Sequence, residues 1–251
     1  MHSFNECADQ IKNILELATD PVAVFLLEHL SSPFTGWRTT HKCRYCQAVM
    51  KARRGQAILL LPDDLSCPAA ARAFGFRPLP ELLRSGEGLV NFGIVHDAIT
   101  GKEMFDGMPV LDEGSIIGIA LCPLRLAPSR PDVIIVEGYS EQLMWLLLAD
   151  LNLSGGKRRS ASTAVLQATC VDATVIPFKE KRLNFSLGCY GCREATDLGP
   201  AETVLGFSVE MLEELTDGLV ELAAKAIPRS RAKNALKLLE QGALKDCGAS
   251  E

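Results

Sequence analysis

The chain has 251 residues, 47% of them apolar, with a formal net charge of −5 at pH 7. That is enough apolar mass for one large core or two fused smaller ones, and the dispersed, mildly acidic charge excludes the basic footprint of a nucleic-acid binder. The longest apolar stretches, Pro21 to Leu27 and Leu143 to Leu148, fall short of the ~18 residues of a membrane span, and Glu6, Asp9, Glu16 and Asp20 stand where a secretory signal would be basic, so a cytoplasmic protein with no membrane or nucleic-acid partner is expected.

In chain order, Ile11, Ile14 and Leu15 recur at helical spacing and predict a helix over 5–17. Pro21 then opens an extended run, Val22 to Leu27. Residues 43–54 read as a helix stopped by Gly55 after Arg53 and Arg54, and Ile58 to Leu61 as a buried strand. Ser66 is placed to cap a short helix with Pro68 in its first turn, ended by Gly75, which sets Cys67 at a helix start. Strands are expected over 89–95 and 115–121, with a helical insert over 97–105. Asp132 to Val136 is a further strand, turning at Gly138 into a helix that contains Glu141, Gln142, Met144 and Trp145. A basic turn, Gly155 to Arg159, precedes a helix ending near Cys170. A strand over 171–176 and an extended piece over 184–186 lead into the loop Gly188-Cys189-Tyr190-Gly191-Cys192. Ser208 starts a long helix to about residue 226, and Pro228 a basic final one.

These elements describe a mixed fold, α/β or α+β, with a mixed sheet flanked by helices. The chain reads as a single globular unit, 1–251, with C-terminal helices over 208–251. Helix, strand, turn and Cys recur in the same order in Gln47 to Cys67 and in Gln167 to Cys189. Two related halves, 20–115 and 116–210, around a cysteine-lined cleft would explain this, as would coincidence in a chain of alternating elements.

Six of the nine cysteines fall in two matching constellations, Cys43-x2-Cys46 with Cys67, and Cys170 with Cys189-x2-Cys192. In a reducing compartment thiols rarely staple a fold, and Cys7 and Cys247 near the ends read as incidental. Cys122, within an apolar strand, reads as core.

The sequence resembles the family known as domain of unknown function 169, of archaea and mostly anaerobic bacteria, over roughly residues 20–207. The resemblance rests on Pro21-Val22-Ala23-Val24, Cys46-Gln47-Ala48, Ala52-Arg53, Gly55, Asp64 to Pro68, Pro131-Asp132-Val133, Gln142 and Asn184 to Arg193. It implies Cys46, Cys67, Cys170 and Cys189 as the matching cysteines, leaves Cys43 and Cys192 as additions, and implies an anaerobic setting without naming an activity.

If those four converge, each thiolate pair at ~6.5 Å and an effective dielectric of ~20 repels by roughly 2.5 kcal/mol over about six pairs. Either the thiols stay protonated or a cation neutralises them. Four thiolates suit an iron–sulfur cluster, 4Fe–4S above all, or zinc. Gly188 and Gly191 allow close backbone approach and amide hydrogen bonds to cluster sulfurs, Tyr190 could donate to a ligand, and Arg193 could offset cluster charge or bind a carboxylate. Zinc would instead use both Cys-x2-Cys pairs, with His41 as a substitute ligand. Metal-free thiol chemistry at Cys67 or Cys189 is the third option. An iron–sulfur protein with a redox or small-molecule role in anaerobic metabolism is expected, its partner a small molecule or redox protein, with a homo-oligomer allowed; the alternative is a non-enzymatic, zinc-stabilised ligand-binding or interaction protein. Lys157-Arg158-Arg159 could hold an anion, though a solvated turn explains it as well. Arg53 and Arg54 fit a helix end, Asp63 and Asp64 a turn, and Arg229, Arg231, Lys233 and Lys237 a solvated face.

Overall fold

A computed structural model describes residues 2–37, 41–155, 161–162 and 166–242. The strands are β1 (Val22–Leu27), β2 (Ile58–Leu60), β3 (Gly118–Pro123), β4 (Val133–Tyr139), β5 (Ala161–Ser162), β6 (Leu183–Ser186) and β7 (Glu202–Ser208). They form one sheet in the order β2-β3-β1-β4-β7-β6-β5. Every pairing among the six longer strands is antiparallel, and only the two-residue β5 runs parallel to its neighbour. The fold is therefore α+β.

The helices are α1 (Phe4–Leu15), α2 (Tyr45–Ala52), α3 (Pro68–Ala73), α4 (Glu81–Arg84), α5 (Glu87–Asn91), α6 (Ala98–Asp106), α7 (Ser140–Ser154), α8 (Ile176–Glu180), α9 (Tyr190–Ala195), α10 (Leu212–Ala224), α11 (Ala226–Arg231) and α12 (Asn234–Glu240). A wider, π-helical segment, Ala168–Val175, leads directly into α8. Helices cover both faces of the sheet. Ala23, Phe25, Ile134, Val136, Leu205 and Phe207 pack against α1, α7, α10 and α11. Val22, Val24, Leu26, Leu121, Val133 and Ile135 pack against α2, α3 and the π segment. Two-sided cover is why β1 reads as an unbroken apolar run rather than an alternating one.

The pairing register has an internal correspondence. Read outward from the central pair β1–β4, the order is β1-β3-β2 on one side and β4-β7-β6 on the other. Val22 opposite Pro123 and Ile58 opposite Leu121 have counterparts in Val133 opposite Ser208 and Asn184 opposite Gly206. The pair Ala23–Ile134 lies at the centre of this arrangement. The topology places β3 between β2 and β1 in one continuous sheet.

Several local expectations are corrected. Residues 171–175 are π-helical and Ile176 opens α8, so this stretch is not a strand: a run buried on all sides carries no periodicity that separates the two. Residues 87–91 are helical where a strand was expected over 89–95. Cys67 itself, not Ser66, is the residue before α3. Cys189 caps α9, so the expected loop is helical from Tyr190. Strand β7, absent from the sequence reading, completes the sheet. Cys7 lies fully buried on α1 rather than at a loose end. The basic turn at 157–159 and Cys247 lie outside the described residues.

Candidate thiol-lined site

Cys46, Cys67, Cys170 and Cys189 line one cavity of ≈ 380 Å³, and Cys192 lines it too. Each of the four stands at the start of a helical segment. Cys46 is in the first turn of α2 and Cys170 in the first turn of the π segment, while Cys67 and Cys189 directly precede α3 and α9. In the paired register, α2 and α3 flank β2 as the π segment and α9 flank β6. Each side of the sheet centre therefore delivers one sulfur from a first helical turn and one from a residue just before a helix.

The backbone around Cys170 is held by specific contacts. Asn184 Nδ2 on β6 donates to the Asp172 carbonyl (2.8 Å), and Thr174 Oγ1 donates to the Thr169 carbonyl (2.8 Å). Gly206 on β7 lets the Ala173 carbonyl lie against the strand, since a Cβ there would sit 1.9 Å from that oxygen. Gly188 turns the chain into the capping Cys189 with φ +91°. Buried Asp172 receives the Ser186 hydroxyl (2.8 Å), and burial pushes its carboxyl up to about 6.

Across the cavity the two sides are tied together. Arg44 Nη1 donates to the Gly191 carbonyl (3.1 Å) and to Glu194 Oε2 (2.8 Å), and Gln47 Nε2 donates to the Ala195 carbonyl (3.1 Å). Tyr45 and Thr174 join their hydroxyls at 3.0 Å in the core. Apolar side chains of Leu82 and Leu83 on α4 and of Phe92 just after α5 complete the wall with Leu166 and Pro68. Phe92 and Tyr190, ring centroids 6.2 Å apart and both half exposed, flank its mouth.

Burial dominates the thiol chemistry. It pushes Cys46 up to about 12, with the neighbouring charges of Cys67 and Cys189 adding to it. It also raises Cys67, against amide hydrogen bonds from Ala70 and Ala69. Cys170 rises well above the ordinary thiol value, through burial and then Cys67, Cys189 and Cys46. Cys189 goes the other way. The Cys192 side chain, its sulfur 3.2 Å away, lowers it first, and the amides of Ala168, Cys192 and Gly191 reinforce its thiolate. Cys192 rises, through the same contact with Cys189 and then through burial. Without a counter-cation, three of the four sulfurs are neutral thiols.

Not every expected site residue is here. Tyr190 and Gly191 line the cavity; Gly188 and Arg193 do not. Arg193 holds the following loop instead, donating to the carbonyls of Leu187, Gly199 and Glu202 at 2.5, 2.8 and 2.9 Å. Cys43 is outside the lining as well, in an extended bridge to Leu65, so Cys43-x2-Cys46 does not present two sulfurs to one point. His41 is exposed and away from the lining. Among the described residues, no three His, Cys, Asp or Glu side chains gather closely enough to hold a single metal ion. Thr169 was not anticipated. It lines the cavity, is 2% exposed, and its hydroxyl oxygen finds no hydrogen-bond partner.

A second buried cluster lies behind α2. Arg53 Nε is 3.0 Å from Glu137 Oε2, though not aligned for a hydrogen bond, and Arg53 Nη2 is 2.5 Å from Asp197 Oδ1. Glu202 lies 3.8 Å from Arg53, and Arg54 also pairs with Asp197. Three carboxylates thus face two guanidinium groups. Burial pushes Glu137 up to about 7 despite Arg53, with Glu202 adding to the rise.

Fold and cavity together define an α+β protein with a thiol-lined pocket between two corresponding sides of one sheet. The chain belongs to the DUF169 family, described as uncharacterised ArCR, whose model matches residues 10–218. It is 29% identical over 221 residues to "Uncharacterized protein MJ0308" of Methanocaldococcus jannaschii, covering 86% of this chain and 94% of that protein. No solved structure matches it. Among the described residues no helix is long and apolar enough to cross a membrane.

Proposed function

We propose that the cavity binds an iron–sulfur cluster, of the 4Fe–4S type, through Cys46, Cys67, Cys170 and Cys189, and serves a redox or small-molecule role in an anaerobic cytoplasm. The observation that carries this reading is the meeting of four sulfurs, distant in sequence, around one cavity. Sulfurs set around a space suit a polynuclear group better than a lone ion. Burial that keeps three thiols protonated is offset when bound iron takes up the thiolate charge. Amides directed at Cys67 and Cys189 are the donors that tune cluster sulfurs. The apolar wall excludes water, and the Phe92–Tyr190 mouth offers a small molecule or redox partner its approach. The matching strand registers also support descent of the two sides from one duplicated unit.

Oxygen-free purification followed by iron and acid-labile sulfide analysis tests the reading. Brown protein with iron and sulfide in equal amounts is expected. Colourless protein containing zinc would replace it with the zinc-stabilised alternative, and protein without either metal would leave a metal-free thiol pocket.

A further inference from the structure

We propose that Cys189 and Cys192 are a reversible dithiol–disulfide pair, so that oxidation withdraws Cys189 from the cavity's ligand set. Their sulfurs are 3.2 Å apart, and a disulfide needs about 2.05 Å, a closure of about 1 Å. The backbone is already arranged around both sulfurs. The Cys192 amide donates to Cys189 Sγ (3.4 Å), and the Cys189 amide to Cys192 Sγ (3.0 Å). Cys43-x2-Cys46 has the same spacing and lacks this arrangement, because Cys43 is held in its bridge to Leu65. Sequence spacing alone therefore does not bring two sulfurs together; the turn into α9 does.

Cys189 is the more exposed of the two, at 8% against 3%, and both line the cavity, from which a low-molecular-weight disulfide would have to reach them. The Cys189 thiolate attacks one sulfur of that disulfide, forming a mixed disulfide and releasing one small thiolate. Cys192 then attacks Cys189 Sγ, closing the protein disulfide and releasing the second. The protein loses two electrons and two protons, and the oxidant leaves as two thiols. The withdrawal of a ligand rests on the cluster reading; the redox pair itself does not.

The test uses the full chain, purified without oxygen and equilibrated in glutathione buffers of increasing oxidised fraction. Samples are quenched in acid, alkylated and peptide-mapped, and each form is then offered ferrous iron and sulfide. A Cys189–Cys192 disulfide is expected to appear in a two-electron transition that dithiothreitol reverses. Cys192→Ser should stop with one glutathione on Cys189, and Cys189→Ser should leave Cys192 reduced. The oxidised wild-type protein should take up no iron, and reduction should restore uptake. Alkylation of both residues at every ratio, or a disulfide from Cys189 to Cys46, Cys67 or Cys170, would overturn the pair. Equal iron uptake by both forms would overturn the coupling alone. A disulfide that forms in protein taking up no iron in either state would sustain the pair and remove the cluster.

Discussion

The hydroxyls of Tyr45, on α2, and Thr174, in the π segment, meet at 3.0 Å in the buried centre of the molecule and join the two sides of the thiol-lined cavity. Thr174 also donates to the Thr169 carbonyl, so Tyr45 is the donor in the shared bond. The two residues are not equivalent in what their loss leaves behind. Tyr45→Phe removes a donor and strands nothing, at an expected cost of about 1 kcal/mol. Thr174→Val leaves the Tyr45 hydroxyl buried without an acceptor and should cost about 1–3 kcal/mol. Urea denaturation of both variants checks the order, and a Tyr45→Phe cost equal to or above that of Thr174→Val contradicts it.

Cluster loading should depend on Cys46, Cys67, Cys170 and Cys189 and be indifferent to Cys43. Single Ser variants of the four are expected to lose bound iron and sulfide after oxygen-free reconstitution. Cys43→Ser, away from the cavity, should keep both. Loss at Cys43 with retention at Cys67 or Cys170 would favour the zinc alternative.

Glu137 should make the fold less stable as pH rises. Its carboxyl is raised from an ordinary 4.5 to about 7, so the folded state holds a proton that the unfolded chain releases earlier. The stabilisation is fully present below about 4.5 and is lost as pH rises through about 7, amounting to at most about 3 kcal/mol. Glu137→Gln should flatten this part of the stability–pH curve. An unchanged slope in the variant would assign the proton elsewhere.

Gly206→Ala should displace the π segment. The added methyl carbon meets the Ala173 backbone oxygen at 1.9 Å, and backbone cannot step aside as a flexible side chain does. A loss of more than about 3 kcal/mol, or failure to fold, is expected. Gly107→Ala, at an open position with φ −89°, should be nearly neutral in the same thermal melt. Similar melting of the two would mean the segment has room to move.

Thr169→Val replaces an unpartnered buried hydroxyl with a methyl group of the same shape. Protein without a ligand should gain about 1 kcal/mol. Calorimetry showing destabilisation would reveal a partner for the hydroxyl.

Much of the sheet was legible because its strands combine β-branched runs with clear punctuation: Pro21 before β1, Gly55 before β2, Gly138 within β4. The helical insert over 97–105 was legible too, and Asp97 caps the start of α6 by accepting the Thr100 amide. The site was legible as a set of cysteines but not as an arrangement. Val171 to Ile176 reads like a strand because every side of it is buried, and only the contact with Gly206 and the bond from Asn184 decide for a helix. Arg193 beside the cysteines looked like a ligand contact, yet carbonyls that sequence does not disclose claim its donors. Thr169 carries no signal at all: an unpartnered hydroxyl exists only once the surrounding atoms are in place.

The correspondence between the two sides of the sheet bears on how the pocket is assembled. Each side contributes only two of the four sulfurs, so neither side lines the cavity with all four by itself, and the set is complete only once the chain has been made through Cys189.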